Sequence, residues 1–181
     1  MMHETGETGW SPKFRYALAS LRIVLGLTFL WAFFDKLLGL TFTTAAANAW
    51  KFGMGSGSPT KGYLSSSYGP LSGLFKALAG NAAVDWLFML GLLAVGVTMT
   101  FGAAARIGAW GGFAMVVLMY LSHPIAWTLV DSSLPKTPHP FLDEHITEAA
   151  AFLVLAFTPS GDTWGLGKWW RSVTPKARWI H

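Results

Sequence analysis

Apolar and polar positions fall in long blocks along this chain. Apolar runs occupy about residues 16–40, 81–101, 107–123 and 141–158, separated by polar, glycine-rich or proline-rich segments. A helix rises ~1.5 Å per residue and a bilayer core is ~30 Å thick, so about 20 residues suffice to cross it. The pattern predicts an all-α polytopic membrane protein in one domain, a bundle of four transmembrane helices. Asn81 is a good N-cap for the second helix, and a GAAAR turn (residues 102–106) separates it from the third. The third continues in apolar residues past Pro124 to Val130, with a kink or an end at the proline.

A long loop, residues 41–80, joins the first two helices. Its centre, GMGSGSPTKG (residues 53–62), lacks periodicity. Behind it, Leu71, Leu74, Phe75 and Leu78 share one face of a short amphipathic helix expected to lie in the membrane interface. Loops of this length are usually functional or disordered. A folded lid is predicted.

The fourth run carries the most chemistry. It opens with Asp143, an expected N-cap, then Glu144, His145 and Glu148. Counting about 20 residues back from Thr158 places His145 and Glu148 within the hydrocarbon, where ionisable groups are expensive and turn inward. As i,i+3 neighbours they share a face and can relay a proton or supply two ligands. Asp35 near the end of the first helix, His123 near the end of the third and Asp85 in the first turns of the second fall at the same depth. His145, Glu148, His123 and Asp85 are therefore the candidate catalytic groups. Arg22, Trp31, Asp35, Lys36 and Trp86 are candidates for holding a cofactor, with Trp31, Trp86 and Trp127 as an aromatic roof. Arg22 lies toward the other side, either snorkelling to lipid phosphate or turned into the bundle to bind a carbonyl or an anionic headgroup. Plainer roles remain open. Glu144 and Glu148 suit the positive end of a helix dipole, and Asp35–Lys36 can mark the water boundary. The methionines read as packing, and Gly108 with Gly112 predicts close helix contact on the third span.

Only 12% of the 181 residues are charged and 52% are hydrophobic, about half the charge of a soluble domain. There is no cysteine, which excludes disulfides, thiolate nucleophiles, cysteine-held iron–sulfur clusters and covalent CxxCH haem attachment. The first apolar run has no small-residue cleavage site close behind it, so no cleavable signal peptide is expected. The formal charge of +4 bears on topology rather than nucleic-acid binding. Lys13, Arg15, Arg106, Lys168, Arg171, Lys176 and Arg178 fall on one side of a four-span arrangement, and Lys51, Lys61, Lys76 and Lys136 on the other. The first set lies in short segments, which predicts a cell-membrane protein with both termini cytoplasmic, loop 41–80 extracytoplasmic, and Trp164, Trp169 and Trp170 in the inner aromatic belt.

LRIVLGLTFLWAFFDKLLG (residues 21–39) resembles the RxxLGxxFLxxxxxKL opening of the DoxX/DoxD family of four-helix membrane proteins. SPTKGYL (residues 58–64), GPLSGLFKALAGNAAVDWL (residues 69–87) and GLLAVGVTMTFGAAARIGA (residues 91–109) resemble its loop, second helix and turn. HPFLDEHITEAAAFLVLAFTPSGDTWGLGKWW resembles its last helix and tail. Arg22, Lys36, Arg106 and the region around residues 143–145 match the family's polar positions, whereas Asp35 replaces its usual glycine. The family includes the membrane subunit of thiosulfate:quinone oxidoreductases and proteins linked to oxidative-stress defence. The resemblance implies a quinone-linked redox role.

Three functions are open at this level. A quinone-reactive subunit would use His145 and Glu148 for proton transfer and take electrons from a soluble or membrane redox partner, because the chain has no intrinsic electron carrier. A non-catalytic scaffold or assembly factor would dock partners through residues 41–83 and 131–142, and a homo-oligomer suits either. A metal site from His123, His145, Glu148 and Asp85 has suitable donors but no recognised spacing, so no metal is expected.

Overall fold

The computed structural model describes residues 10–134 and 139–175; Lys136, Lys176 and Arg178, used above for topology, lie outside them. The described residues form helices and turns without a strand. Three helical stretches are long and apolar enough to cross a membrane: Pro12–Leu38, Ala82–Phe101 and Ala105–Leu129.

Helix α1 (Pro12–Leu38) starts four residues before its apolar run, because Ser11 caps it and Pro12 takes the first helical position, where its missing N–H costs nothing. It ends where Gly39 turns left-handed, at φ 68°, and returns its N–H to the Asp35 carbonyl. The next segment carries two single 3₁₀ turns and two short helices, α2 (Lys61–Ser65) and α3 (Ser72–Leu78). Asn81 caps α4 (Ala82–Phe101) as expected, its side chain accepting from the Ala83 and Val84 amides. Gly102, at φ 72°, reverses the chain into α5 (Ala105–Ser122). Pro124 ends α5, and the apolar residues beyond it form a 3₁₀ turn, Ile125–Leu129. Asp143 caps α6 (Glu144–Ala156) through Ile146, and α7 (Gly167–Val173) closes the described chain.

The last long element departs from expectation. α6 has 13 residues, about 20 Å of helix, against the 18 counted from hydropathy. Proline at 140 and extended backbone at Asp143 delay its start, and Pro159 forces a turn soon after its end.

Consecutive long helices pack side by side: α1 on α4, α4 on α5, α5 on α6. Phe29 of α1 meets Phe152 of α6 edge-on at 5.4 Å, which closes the circuit. Met89, Met99, Phe152 and Leu155 are fully buried there, so these methionines do fill the core. Glycines set the spacing, as expected for Gly108 and Gly112. Gly108 admits Thr98 of α4, Gly112 admits the Phe152 ring, and Gly96 admits Leu30 of α1.

A lidded cavity with a histidine–carboxylate end

A cavity of about 1600 Å³ lies between the faces of α4 and α5 and the segment that follows α1. Its lining runs along α4 from Val84 to Thr98 and along α5 from Ile107 to Ser122, which is ~20 Å of helix. Most of that wall is apolar. Leu87 and Leu118 line it yet stay exposed, so it is a trough rather than a sealed void. Residues 56–66 cover it in part, and Leu71, Leu74, Phe75 and Leu78 contribute a further wall. These four were expected to lie flat in an interface. They line the trough, with Phe75 buried and Leu71 and Leu74 exposed.

Polar groups collect where the covering segment meets α5 and α6. Glu144, His145 and Glu148 line the cavity there, with Tyr63, Ser66 and Ser122; Lys36 enters from α1. Asp143 has two tasks. Its Oδ1 accepts the Ile146 amide at 3.0 Å, and its Oδ2 lies 2.9 Å from His145 Nδ1. A carboxylate in that position holds the neutral ring as the Nδ1–H tautomer and leaves Nε2 as the acceptor. The half-buried Glu148 carboxylate has no hydrogen-bond donor among the described residues. His123 stands beside the cavity with Ser66 at Nε2 and Ser122 at Nδ1. The rings of Tyr63 and Tyr68 flank it. Burial pushes both phenols up from their ordinary value, and the Asp143 carboxylate adds to this.

The other candidates are employed elsewhere. Asp85 does not join the cavity. Its Oδ1 is saturated by Ser58 Oγ at 2.8 Å, Thr60 N at 3.2 Å and Thr60 Oγ1 at 2.5 Å, so it fastens the covering segment to α4. Asp35, 1% exposed, likewise accepts from Phe42 N, Thr43 N and Thr43 Oγ1 and folds the chain back after α1. Trp31 and Trp86 form no roof, because Trp31 packs edge-on against Phe42 and Trp86 against Trp50. Trp127 lies by Gly69, outside the lining. Among the described residues no three His, Asp or Glu side chains gather closely enough to hold a metal ion.

Arg22 neither snorkels nor reaches the cavity. It is fully buried, and its five N–H donors meet five backbone carbonyls: Ser160, Met99, Thr100, Thr163 and Trp164. Two of these are the last-turn acceptors of α4 that a helix cannot satisfy itself, and the negative end of that helix stands in for a counter-ion.

Tyr63, Ser66, Tyr68 and Ser122 were missed by sequence reasoning. The run LSSSY in residues 64–68 was the available signal, a polar string inside an otherwise apolar chain.

Removing the Asp85 fastening has a local cost. Asp85→Ala leaves two hydroxyls and one amide without their acceptor, about 2 kcal/mol at this site. Limited proteolysis of the detergent-solubilised protein should then cut within residues 53–62 at least tenfold faster, with the helical circular-dichroism signal unchanged. No protein-family model, curated protein or solved structure matches this chain.

Proposed function

We propose that the chain is a multi-pass membrane protein of the DoxX kind whose cavity binds a membrane quinone, as the membrane subunit of a quinone-linked oxidoreductase. The observation that carries this reading is the trough itself: an apolar wall ~20 Å long ending on His145 and Glu148. An isoprenoid tail fits the α4–α5 wall, and a polar head fits the end bearing His145, Glu148, Ser66 and Lys36. Small-molecule sites share this make-up, mostly apolar walls with a few placed polar groups.

In this reading α6 is the fourth crossing. Its ~20 Å is lengthened by Phe141 and Leu142 before it and Phe157 after it, all three exposed as lipid-facing residues would be. Both termini are cytoplasmic and the covering segment is extracytoplasmic, on the argument from short basic segments.

A bound quinone would supply two-electron, two-proton chemistry, with the electrons brought by a partner. The chain's own residues hold and move protons. Asp143 fixes the His145 ring, Nε2 of His145 takes or gives a proton at the head group, and Glu148, one turn further along the same face, exchanges with it.

Protein purified in mild detergent should retain quinone in its organic extract. His145→Ala or Glu148→Gln should lower that retention at least tenfold, while thermal stability changes little, because neither side chain is in the packed core. Absence of quinone from the wild-type extract, together with no saturable binding of an added short-chain quinone, would remove the reading.

A further inference from the structure

His123 is held by two serines whose hydrogens are already committed. Ser66 Oγ lies 3.2 Å from Nε2 and Ser122 Oγ 3.0 Å from Nδ1. A hydroxyl carries one hydrogen. Ser66 donates its hydrogen to the Tyr63 carbonyl at 2.8 Å, and Ser122 donates its own to the Met119 carbonyl at 2.7 Å. With both hydrogens placed on those carbonyls, only lone pairs remain toward the ring, and both ring nitrogens donate. An imidazole with two N–H groups is an imidazolium.

The ring's surroundings suit that charge. The Tyr63 ring centre is 4.3 Å away and that of Tyr68 5.2 Å, within the ~6 Å over which an aromatic ring attracts a cation. His145 on α6 also faces the ring. His145 is itself paired with Asp143, and Glu144 and Glu148 add carboxylates on that helix. Tyr120 of α5 lies near Tyr68.

Tyr63, Ser66 and Tyr68 all belong to the segment that covers the cavity, whereas Ser122 and His123 end α5. The Tyr68 amide and hydroxyl donate to the Ser122 and His123 carbonyls, and the Tyr63 hydroxyl to that of Met119. We propose that His123 is a proton-operated latch: the imidazolium fastens the covering segment to α5, and loss of one ring proton releases it and opens the cavity. A neutral ring would set one nitrogen lone pair against a serine lone pair, or make that serine abandon its carbonyl. The closed form binds a proton that the open form gives up, so closure strengthens as pH falls and weakens as pH rises. Only the consequence for ligand access rests on the quinone reading; the latch stands on the hydrogen count.

The cysteine-free chain makes the test direct. Gly62→Cys, where a side chain meets nothing within 4 Å, and Ser132→Cys, exposed beyond α5, would carry a spin-label pair in nanodiscs without quinone. Pulsed dipolar spectroscopy should give one narrow distance at pH 5.5 and a growing second population toward pH 8.5. The closed-to-open ratio should fall about tenfold per pH unit through the transition, as for one proton. His123→Asn should abolish the pH dependence and leave the label pair broadly distributed throughout. Distances indifferent to pH in the wild type overturn the proposal, as does a dependence that survives His123→Asn and vanishes in His145→Asn. Nitrogen-15 spectra of histidine-labelled wild type decide the case if the variant fails to fold. Two protonated nitrogens on His123 in the closed form are expected, and a single-tautomer neutral ring there overturns the latch. Failure to find bound quinone leaves each of these readouts intact.

Discussion

Replacing Arg22 by methionine should cost about 4 kcal/mol or more and leave little folded protein to recover from detergent. The side chain is completely buried and its donors serve five carbonyls drawn from the end of α4 and from residues 160–164. Methionine fills much of the volume but makes none of the bonds. Each buried acceptor left without a partner costs about 1–3 kcal/mol, and this side chain is 0% exposed to the water that could relieve it. Lysine should rescue poorly, because an ammonium is a compact point with three donors and cannot span acceptors that a planar fork reaches on three sides. Size-exclusion profiles and thermal midpoints of wild type, Arg22→Met and Arg22→Lys check this. A stable, monodisperse Arg22→Met protein would show that the carbonyls find other donors.

Gly112→Leu should destabilise the bundle and should also reach the candidate site. A Cβ at 112 would fall 2.8 Å from Phe152 Cδ1 and closer still to two other ring carbons. The ring is itself fully buried against Phe29. With nowhere to move, it pushes α6 away from α5, and overpacking of this kind typically costs about 1–3 kcal/mol. His145 and Glu148 ride on α6, so, if the proposed quinone site is right, retention of quinone should fall at least tenfold. Phe152→Ala alone opens a hole worth about 3–5 kcal/mol. The double variant should be less destabilised than the sum of the two singles, because the leucine occupies part of that hole. Strict additivity would show that the two positions do not share the contact.

Much of the scaffold was legible in the chain. Asn81 and Asp143 mark helix starts, Gly102 the turn after α4 and Pro124 the stop of α5, each through a local backbone preference that needs no tertiary partner; the same preferences at Ser11–Pro12 and Gly39 bound α1, which hydropathy alone had set at residues 16–40. The contact glycines of α5 were legible for the same reason, since spacing along one helix puts Gly108 and Gly112 on one side. The extent of α6 was not. Hydropathy ran on through residues 141–158, past the Asp143 cap that the sequence itself marks, whereas the helix holds together only over Glu144–Ala156 before the turn at Pro159.

The candidate site divides along the same line. His145 and Glu148 could be singled out because they lie in one turn of one apolar segment, where the cost of burying charge is visible in composition alone. Asp85, Asp35 and Arg22 carry the same alarm, yet their side chains are consumed by partners 25, 8 and up to 142 residues away in sequence. Hydropathy registers that a charge is buried; it carries no information on which donor or acceptor meets it. The chain by itself determined that long apolar helices form, where most of them begin and end, and that α6 opens with ionisable groups. Tertiary structure decided which polar groups serve the fold and which face the cavity. It also decided that a serine-and-tyrosine segment from between α1 and α4 closes on His123. Those outcomes depend on hydrogen bonds between residues far apart in sequence, which exist only once the helices have packed.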